Sequence, residues 1–299
     1  MAAEKLILFF AAIFLFQQNA YGFNQNRIVN GTATPDDVFE FVPRYSFFMA
    51  GNSAYSVSKY GMRSSFCSST VISKRHILTA AHCLVTNIPI NKNSTINPVH
   101  RVQAIAVEFR RKGKGIAEVF KDNSFQTRYY FHPAYSYYNW MFADIAIIEF
   151  PEGTNLNITP ITLASNYVEK KGDMGIAAGY GVYKVKINEI DGKEILEYPT
   201  ILQNVTLPIH PPIDCLQPSF VLCTISHESY TYYGDSGGPL MIERNGKLYQ
   251  IGITSSGRTK NGTRFEAYTR IAIYCNWIYN VTKGEVDCEK LPEESNVKP

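Results

Sequence analysis

Little in this 299-residue chain supports a membrane span, a nucleic-acid surface or a metal centre. Beyond its first residues, no stretch is long and apolar enough to cross a bilayer. The net charge of +3 is too small to argue for a nucleic-acid partner. The histidines lack the HExxH spacing of a zinc site, so no metal and no cofactor is expected. Internal repeats and low-complexity tracts are missing too. An apolar content of 45% beside 18% charged residues excludes a disordered chain. Between residues 29 and 157 no helical period lasts three turns. Short β-rich stretches at 46–49, 70–72, 102–109 and 144–150 alternate with turns instead, the pattern of an antiparallel barrel.

The chain opens with a basic residue, Lys5, and an apolar run over 6–16. Small residues follow at Ala20 and Gly22. That is a signal peptide, residues 1–22, and it implies a secreted, extracellular protein. Six Asn-x-Ser/Thr sequons imply a glycoprotein with acceptors at Asn93, Asn157, Asn204, Asn261 and Asn280; the sixth, Asn30, is the doubtful one. Six cysteines in an exported chain argue for three disulfides, and spacing alone leaves their pairing open.

The chemistry centres on Gly234-Asp235-Ser236-Gly237-Gly238-Pro239. Glycines on both sides let the backbone turn tightly, expose a hydroxyl and aim N–H groups at one point. A serine hydroxyl is a poor nucleophile at neutral pH and needs a base, which itself needs an orienting acid. His82, in Leu78-Thr79-Ala80-Ala81-His82-Cys83, supplies the base. Asp144, a lone carboxylate in the apolar run Phe142 to Ile148, supplies the acid and must have a hydrogen-bonding partner there. The order His, Asp, Ser separates the chain from subtilisin-like and α/β-hydrolase arrangements. An esterase or lipase reading fails on that order, and although Gly234 fits a Gly-x-Ser-x-Gly elbow, Gly238 closes a different turn.

These segments resemble the chymotrypsin/trypsin family of serine endopeptidases from Arg27 to about Ile278. The resemblance implies an all-β fold of two six-stranded antiparallel barrels, about 28–158 and 159–270, with a short C-terminal helix at about 271–281. A tail, 284–299, follows the protease domain of residues 28–283, and 289–299 reads as disordered. It further implies a zymogen whose short activation peptide, 23–27, is cut after Arg27. The freed Ile28 ammonium would pair with Asp235, and the N–H groups of Gly234 and Ser236 would form the oxyanion hole. Cys67 would pair with Cys83 and Cys215 with Cys223, leaving Cys275 for Cys288. The first bridge contributes roughly 3 kcal/mol by loop closure. Residues 84–100 contain no Asp or Glu, so the calcium loop of some relatives is not expected.

Specificity is where the chain departs from the family. Tyr230 stands six before Ser236, where trypsin-like enzymes carry an aspartate. Tyr232 replaces a cysteine, so one pocket-bracing bridge is missing. Glu266 takes a wall position that is usually glycine and could receive Lys or Arg. It could equally turn outward or pair with the Tyr230 hydroxyl. Basic or mixed basic/aromatic preference therefore stands open against a small-apolar or chymotrypsin-like one. Ser255 falls where the family serine touches the aspartate, and residues 252–257, ending at Gly257, resemble the strand that pairs with substrate backbone. Implied partners are protein or peptide substrates, an activating protease and inhibitors of the serpin or Kunitz type, acting on a monomer away from membranes. The competing reading is a non-catalytic homologue that uses the fold as a binding or regulatory module. Residues 184–198 read as an exposed loop open to self-cleavage, and 110–114 as a basic surface loop.

Overall fold

The computed structural model describes residues 28–29, 31–35, 37–50, 62–84, 102–111, 115–122, 126–136 and 142–293. The signal peptide, Arg27 and Asn93 lie outside them. The strands of the first half are β1 (Thr32–Ala33), β2 (Arg44–Ala50), β3 (Met62–Ser68), β4 (Thr70–Val71), β5 (His76–Thr79), β6 (Val102–Arg111), β7 (Gly115–Asp122), β8 (Arg128–Phe131) and β9 (Ala146–Glu149). Those of the second half are β10 (Thr162–Leu163), β11 (Met174–Gly179), β12 (Lys184–Ile187), β13 (Glu194–Glu197), β14 (Gln203–His210), β15 (Val221–Ser226), β16 (Pro239–Arg244), β17 (Lys247–Lys260) and β18 (Thr263–Arg270). A 3-10 turn, Ile271–Tyr274, leads into α1 (Cys275–Val281). No described helix is long and apolar enough to cross a membrane.

In the second half, β11, β14, β15, β18, β17 and β16 pair antiparallel in a ring, which closes a six-stranded barrel. Closure leaves no free edge. Along β14 buried and less buried residues alternate, as a strand with one face on a core requires. The first half consists of two four-stranded sheets, β3-β2-β6-β7 and β4-β5-β9-β8, around one core. Ser69 alone separates β3 from β4, so one bent stretch of chain serves both sheets. Tyr45, Val71, Ile77, Ile105, Val107 and Ile147 meet in that core.

Each terminus caps the other half. β1 pairs with β14, so the first residues of the first half belong physically to the second barrel. Ile278 and Val286 join the core of the first half. There Arg75 bonds Glu149 at 2.6 Å and Glu285 at 2.7 Å, tying the segment after α1 to β9.

Three sequence expectations are corrected. Residues 184–198 form a hairpin: β12 pairs with β13, Lys184 lies opposite Glu197, and Lys186 is ion-paired with Glu197. Opposite charges across the strands give that segment a partner that composition alone conceals. The tail is ordered as far as Leu291, whose N–H donates to Asn166 Oδ1 at 2.8 Å, while Lys247 pairs with Glu289 at 2.7 Å. Residues 294–299 lie outside the described set. Arg110 and Arg111 end β6 and pair across to β7, so they are strand rather than loop; residues 112–114 lie outside the described set.

Candidate active site

His82 occupies a 3-10 turn, Ala81–Leu84, directly after β5. The adjacent Cys83 is bonded to Cys67 on β3, which fixes the turn against the sheet. Asp144 is fully buried two residues before β9, so the buried strand begins after the acid rather than around it. Ala143 at φ +54 turns the chain to present it. Asp144 Oδ1 accepts the His82 main-chain N–H at 2.8 Å, and Oδ2 accepts the Nδ1–H of His82 at 2.7 Å. The Ser255 hydroxyl donates to Oδ2 at 2.6 Å, and Thr269 donates to the Asp144 carbonyl at 2.9 Å. This bonding assigns the proton to Nδ1 and leaves Nε2 as the basic nitrogen. Burial disfavours the imidazolium, but the Asp144 carboxylate outweighs it and holds His82 above its usual value.

The Ser236 turn is pinned at many points. Asp235 N–H donates to the Tyr232 carbonyl at 3.0 Å and Gly238 N–H to the Asp235 carbonyl at 2.9 Å. Gly237 and Thr254 exchange contacts with the same strand: Gly237 N–H to Thr254 O at 2.8 Å, and Thr254 N–H to Gly238 O at 2.8 Å. Ser255 follows directly and holds Asp144, so two adjacent residues of β17 grip the two halves of the site. Gly237 has φ +83, and a Cβ there would strike Thr79 Oγ1 and the Ser68 carbonyl. Only glycine lets this turn press against the strand end that leads to His82.

Within the turn, the N–H groups of Gly234 and Ser236 have no acceptor among the described residues, while those of Asp235, Gly237 and Gly238 all do. The half-buried Ser236 hydroxyl likewise has no partner there, so the hydroxyl–imidazole bond is not made in this conformation. Such bonds often tighten only when substrate is bound.

Asp235 is fully buried and accepts Gly181 N–H at 2.7 Å and Tyr232 N–H at 2.9 Å. A Cβ on Gly179 or Gly181 would run into its carboxylate, which explains the glycine-aromatic-glycine element there. Among the described residues no cation pairs with it. Burial pushes its carboxyl up to about 7. Ile28 is wholly buried in the second core, in a left-handed conformation with φ +38 that is costly for a β-branched residue. The carbonyl of Val29 accepts Tyr230 N–H at 3.2 Å.

Glu266 does not turn outward. It is 2% exposed and takes hydrogen bonds from Thr231 and from the hydroxyls of Tyr268 and Thr224, not from Tyr230. Burial raises its carboxyl against those donors. Cys215 is bonded to Cys223 and Cys275 to Cys288. Asn157, Asn261 and Asn280 are exposed. Asn204 instead sits in paired β14 with its amide donating to buried Thr34 at 2.9 Å, which leaves that nitrogen engaged inside the fold.

Sequence reasoning missed Ser68, Thr254, Thr269 and Arg264. Arg264 was detectable: it lies two before Glu266 on a strand, hence on the same face.

A trypsin family model matches residues 46–278, the span that holds His82, Asp144 and Ser236. The chain belongs to the trypsin family of serine endopeptidases. It is 25% identical over 279 residues to "Venom serine protease" of Polistes dominula, covering 89% of each chain. It is 28% identical over 280 residues to "CLIP domain-containing serine protease B4" of Anopheles gambiae, covering 85% of this chain and 69% of that one. It is 25% identical over 258 residues to "Coagulation factor IX" of Cavia porcellus, covering 81% of this chain and 82% of that one.

Proposed function

We propose that the protein is a secreted glycoprotein zymogen, activated by cleavage after Arg27, that hydrolyses peptide bonds through an acyl-enzyme on Ser236. The observation that carries this reading is one carboxylate, Asp144, joining His82 to Ser255 beside a turn with two unspent N–H groups. His82 Nε2 takes the Ser236 proton as the hydroxyl attacks the carbonyl carbon, and then protonates the leaving amine. Asp144 holds the tautomer and stabilises the imidazolium. Gly234 and Ser236 N–H hold the oxyanion, a contribution typically on the order of 10²–10³ in turnover per donor. Water then hydrolyses the ester by the same proton route.

The zymogen reading draws support from Ile28 and Asp235. An uncompensated buried carboxylate and a strained, buried isoleucine lie next to the site before any cut. Cleavage creates an ammonium on Ile28 and frees its backbone; a buried carboxylate and ammonium are each costly alone and tolerable together. Within this reading residues 1–22 are the signal peptide, 23–27 the activation peptide and 28–283 the protease domain. Substrates are proteins or peptides, and an activating protease is required.

The unmade Ser236–His82 bond favours one competing reading, a non-catalytic binding module. A fluorophosphonate probe separates the two. Cleaved protein should label and cut peptides, Ser236→Ala should do neither, and Arg27→Gln should fold but stay silent. Cleaved protein that neither labels nor cuts would establish the binding module.

A further inference from the structure

Glu266 and Arg264 differ in how their charges are partnered. The four acceptor sites of the Glu266 carboxylate are filled. Oε1 takes Thr231 N–H at 2.7 Å and the Thr231 hydroxyl at 2.5 Å; Oε2 takes Tyr268 at 3.0 Å and Thr224 at 3.3 Å. Arg264 is different. Its guanidinium lies against Gly257, where a Cβ would run into Nη2, Cζ and Nε. Its centre is 5.1 Å from the Tyr230 ring centroid and 5.6 Å from that of Tyr232.

One hydrogen bond, Nη2 to the Thr231 carbonyl at 3.2 Å, anchors it. Nε is buried with no hydrogen-bond acceptor, and the nearest carboxylate oxygen, Glu266 Oε1, is 3.8 Å away. The group is therefore held by stacking, one carbonyl and a buried ion pair with Glu266, and its guanidinium N–H groups still outnumber those contacts. It also sits between the two segments that flank the reactive turn. Tyr230 to Tyr233 run straight into Gly234, and Gly257 comes two residues after the serine that holds Asp144.

We propose that Arg264 is the specificity-determining residue, and that it selects an aspartate or glutamate side chain on the acyl side of the cleaved bond. This rests on the endopeptidase reading above. A guanidinium with free donors meets a carboxylate in a planar, charge-assisted pair. A lysine or arginine would bring like charge into the same space. An aromatic side chain would compete with the guanidinium for the two tyrosine faces.

The test uses the full chain, cleaved after residue 27, and fluorogenic peptides that differ only at the acyl-side residue: Asp, Glu, Lys, Arg, Phe and Ala. The fluorophosphonate probe is run in parallel. Labelled protein should cleave Asp or Glu peptides with kcat/KM about 10- to 100-fold above the Ala peptide. Arg264→Gln should collapse that ratio towards one, and Arg264→Lys should retain part of it. A labelled protein that prefers Lys, Arg or Phe overturns the assignment, as does an acidic preference unchanged in Arg264→Gln. If Arg264→Gln fails to fold, the wild-type profile and the lysine variant decide. Absence of labelling defeats the endopeptidase reading itself, and this proposal with it.

Discussion

The Ser68 hydroxyl donates to the Gly234 carbonyl at 2.9 Å while the Ser68 main-chain N–H donates to the Ser236 carbonyl at 3.0 Å. One buried residue of β3 thus clamps both ends of the reactive turn from the other half of the molecule. Its Oγ also accepts Tyr180 N–H at 3.0 Å, which extends the clamp to β11 and the chamber around Asp235. Ser68→Ala should leave two buried backbone groups unsatisfied and cost about 1–3 kcal/mol of stability. The sharper readout is kinetic. With the Gly234 peptide free to rotate, kcat should fall with KM nearly unchanged, and Ser68→Thr should restore part of it. Equal changes in kcat and KM would mean that Ser68 only supports the fold.

The raised His82 sets the acid side of the pH profile. The imidazole must be neutral to accept the serine proton, so activity should disappear, as pH falls, at a higher pH than the usual 6.5 of a histidine. In Asp144→Asn burial acts alone and pushes His82 down, so the acid limb of kcat/KM should move to lower pH. Turnover should fall by orders of magnitude because the tautomer is no longer held. A limb that stays put in Asp144→Asn would show that another group titrates.

Asp235 gives the uncleaved chain a distinctive pH signature. Its folded carboxyl, held at about 7 against the usual 3.8 of an aspartate, keeps its proton more tightly than the unfolded chain does. Stability is therefore full at low pH and is lost as pH rises from about 4 to 7, by on the order of 4 kcal/mol at full ionisation. On the zymogen reading proposed above, cleavage after Arg27 would supply an ammonium that offsets this loss. Melting curves of Arg27→Gln and cleaved protein should converge near pH 4 and separate towards pH 7. Parallel curves would remove the ion-pair account of activation.

Arg75 should matter to the fold rather than to the chemistry. Both carboxyls lie below their ordinary range although burial works against this: Glu149 through the Tyr130 hydroxyl and then Arg75, Glu285 through Arg75 first. Arg75→Ala leaves the nearly buried Glu149 with only the Tyr130 hydroxyl, at 2.6 Å, to offset its charge and should cost about 1–3 kcal/mol. It should also speed amide exchange after α1. Because the two carboxyls are depressed, their contribution is present above the unfolded pKa and lost as pH falls, so the variant should gain least stability between acid and neutral pH. Retention of the wild-type melting temperature would refute the tether.

The backbone of the reactive turn was legible in the residues alone. Gly237 must be glycine because its φ is positive and its neighbours leave no room. Asp144 was legible for a similar reason: a carboxylate in an apolar run demands partners, and His82 and Ser255 provide them. The hairpin at Lys184 and Glu197, the ordered tail at Glu289 and the Ser68 clamp were not legible. Each depends on pairing between residues whose individual preferences are weak and whose separation along the chain is arbitrary.

The sequence by itself determined the β-rich character of the chain, the reactive turn and the need of Asp144 for partners, since these follow from steric limits and solvation costs felt within a few residues. Only the tertiary structure decided how the two charges of that strand face are partnered. Glu266 and Arg264 lie two apart on one strand face, and nothing local ranks them. The fold gives Glu266 four donors from β15, β18 and the Thr231 segment, and gives Arg264 two aromatic faces, a single carbonyl and the Glu266 carboxylate at 3.8 Å. A buried charge that is fully hydrogen-bonded has nothing left for a ligand, whereas one held by stacking still has donors to offer.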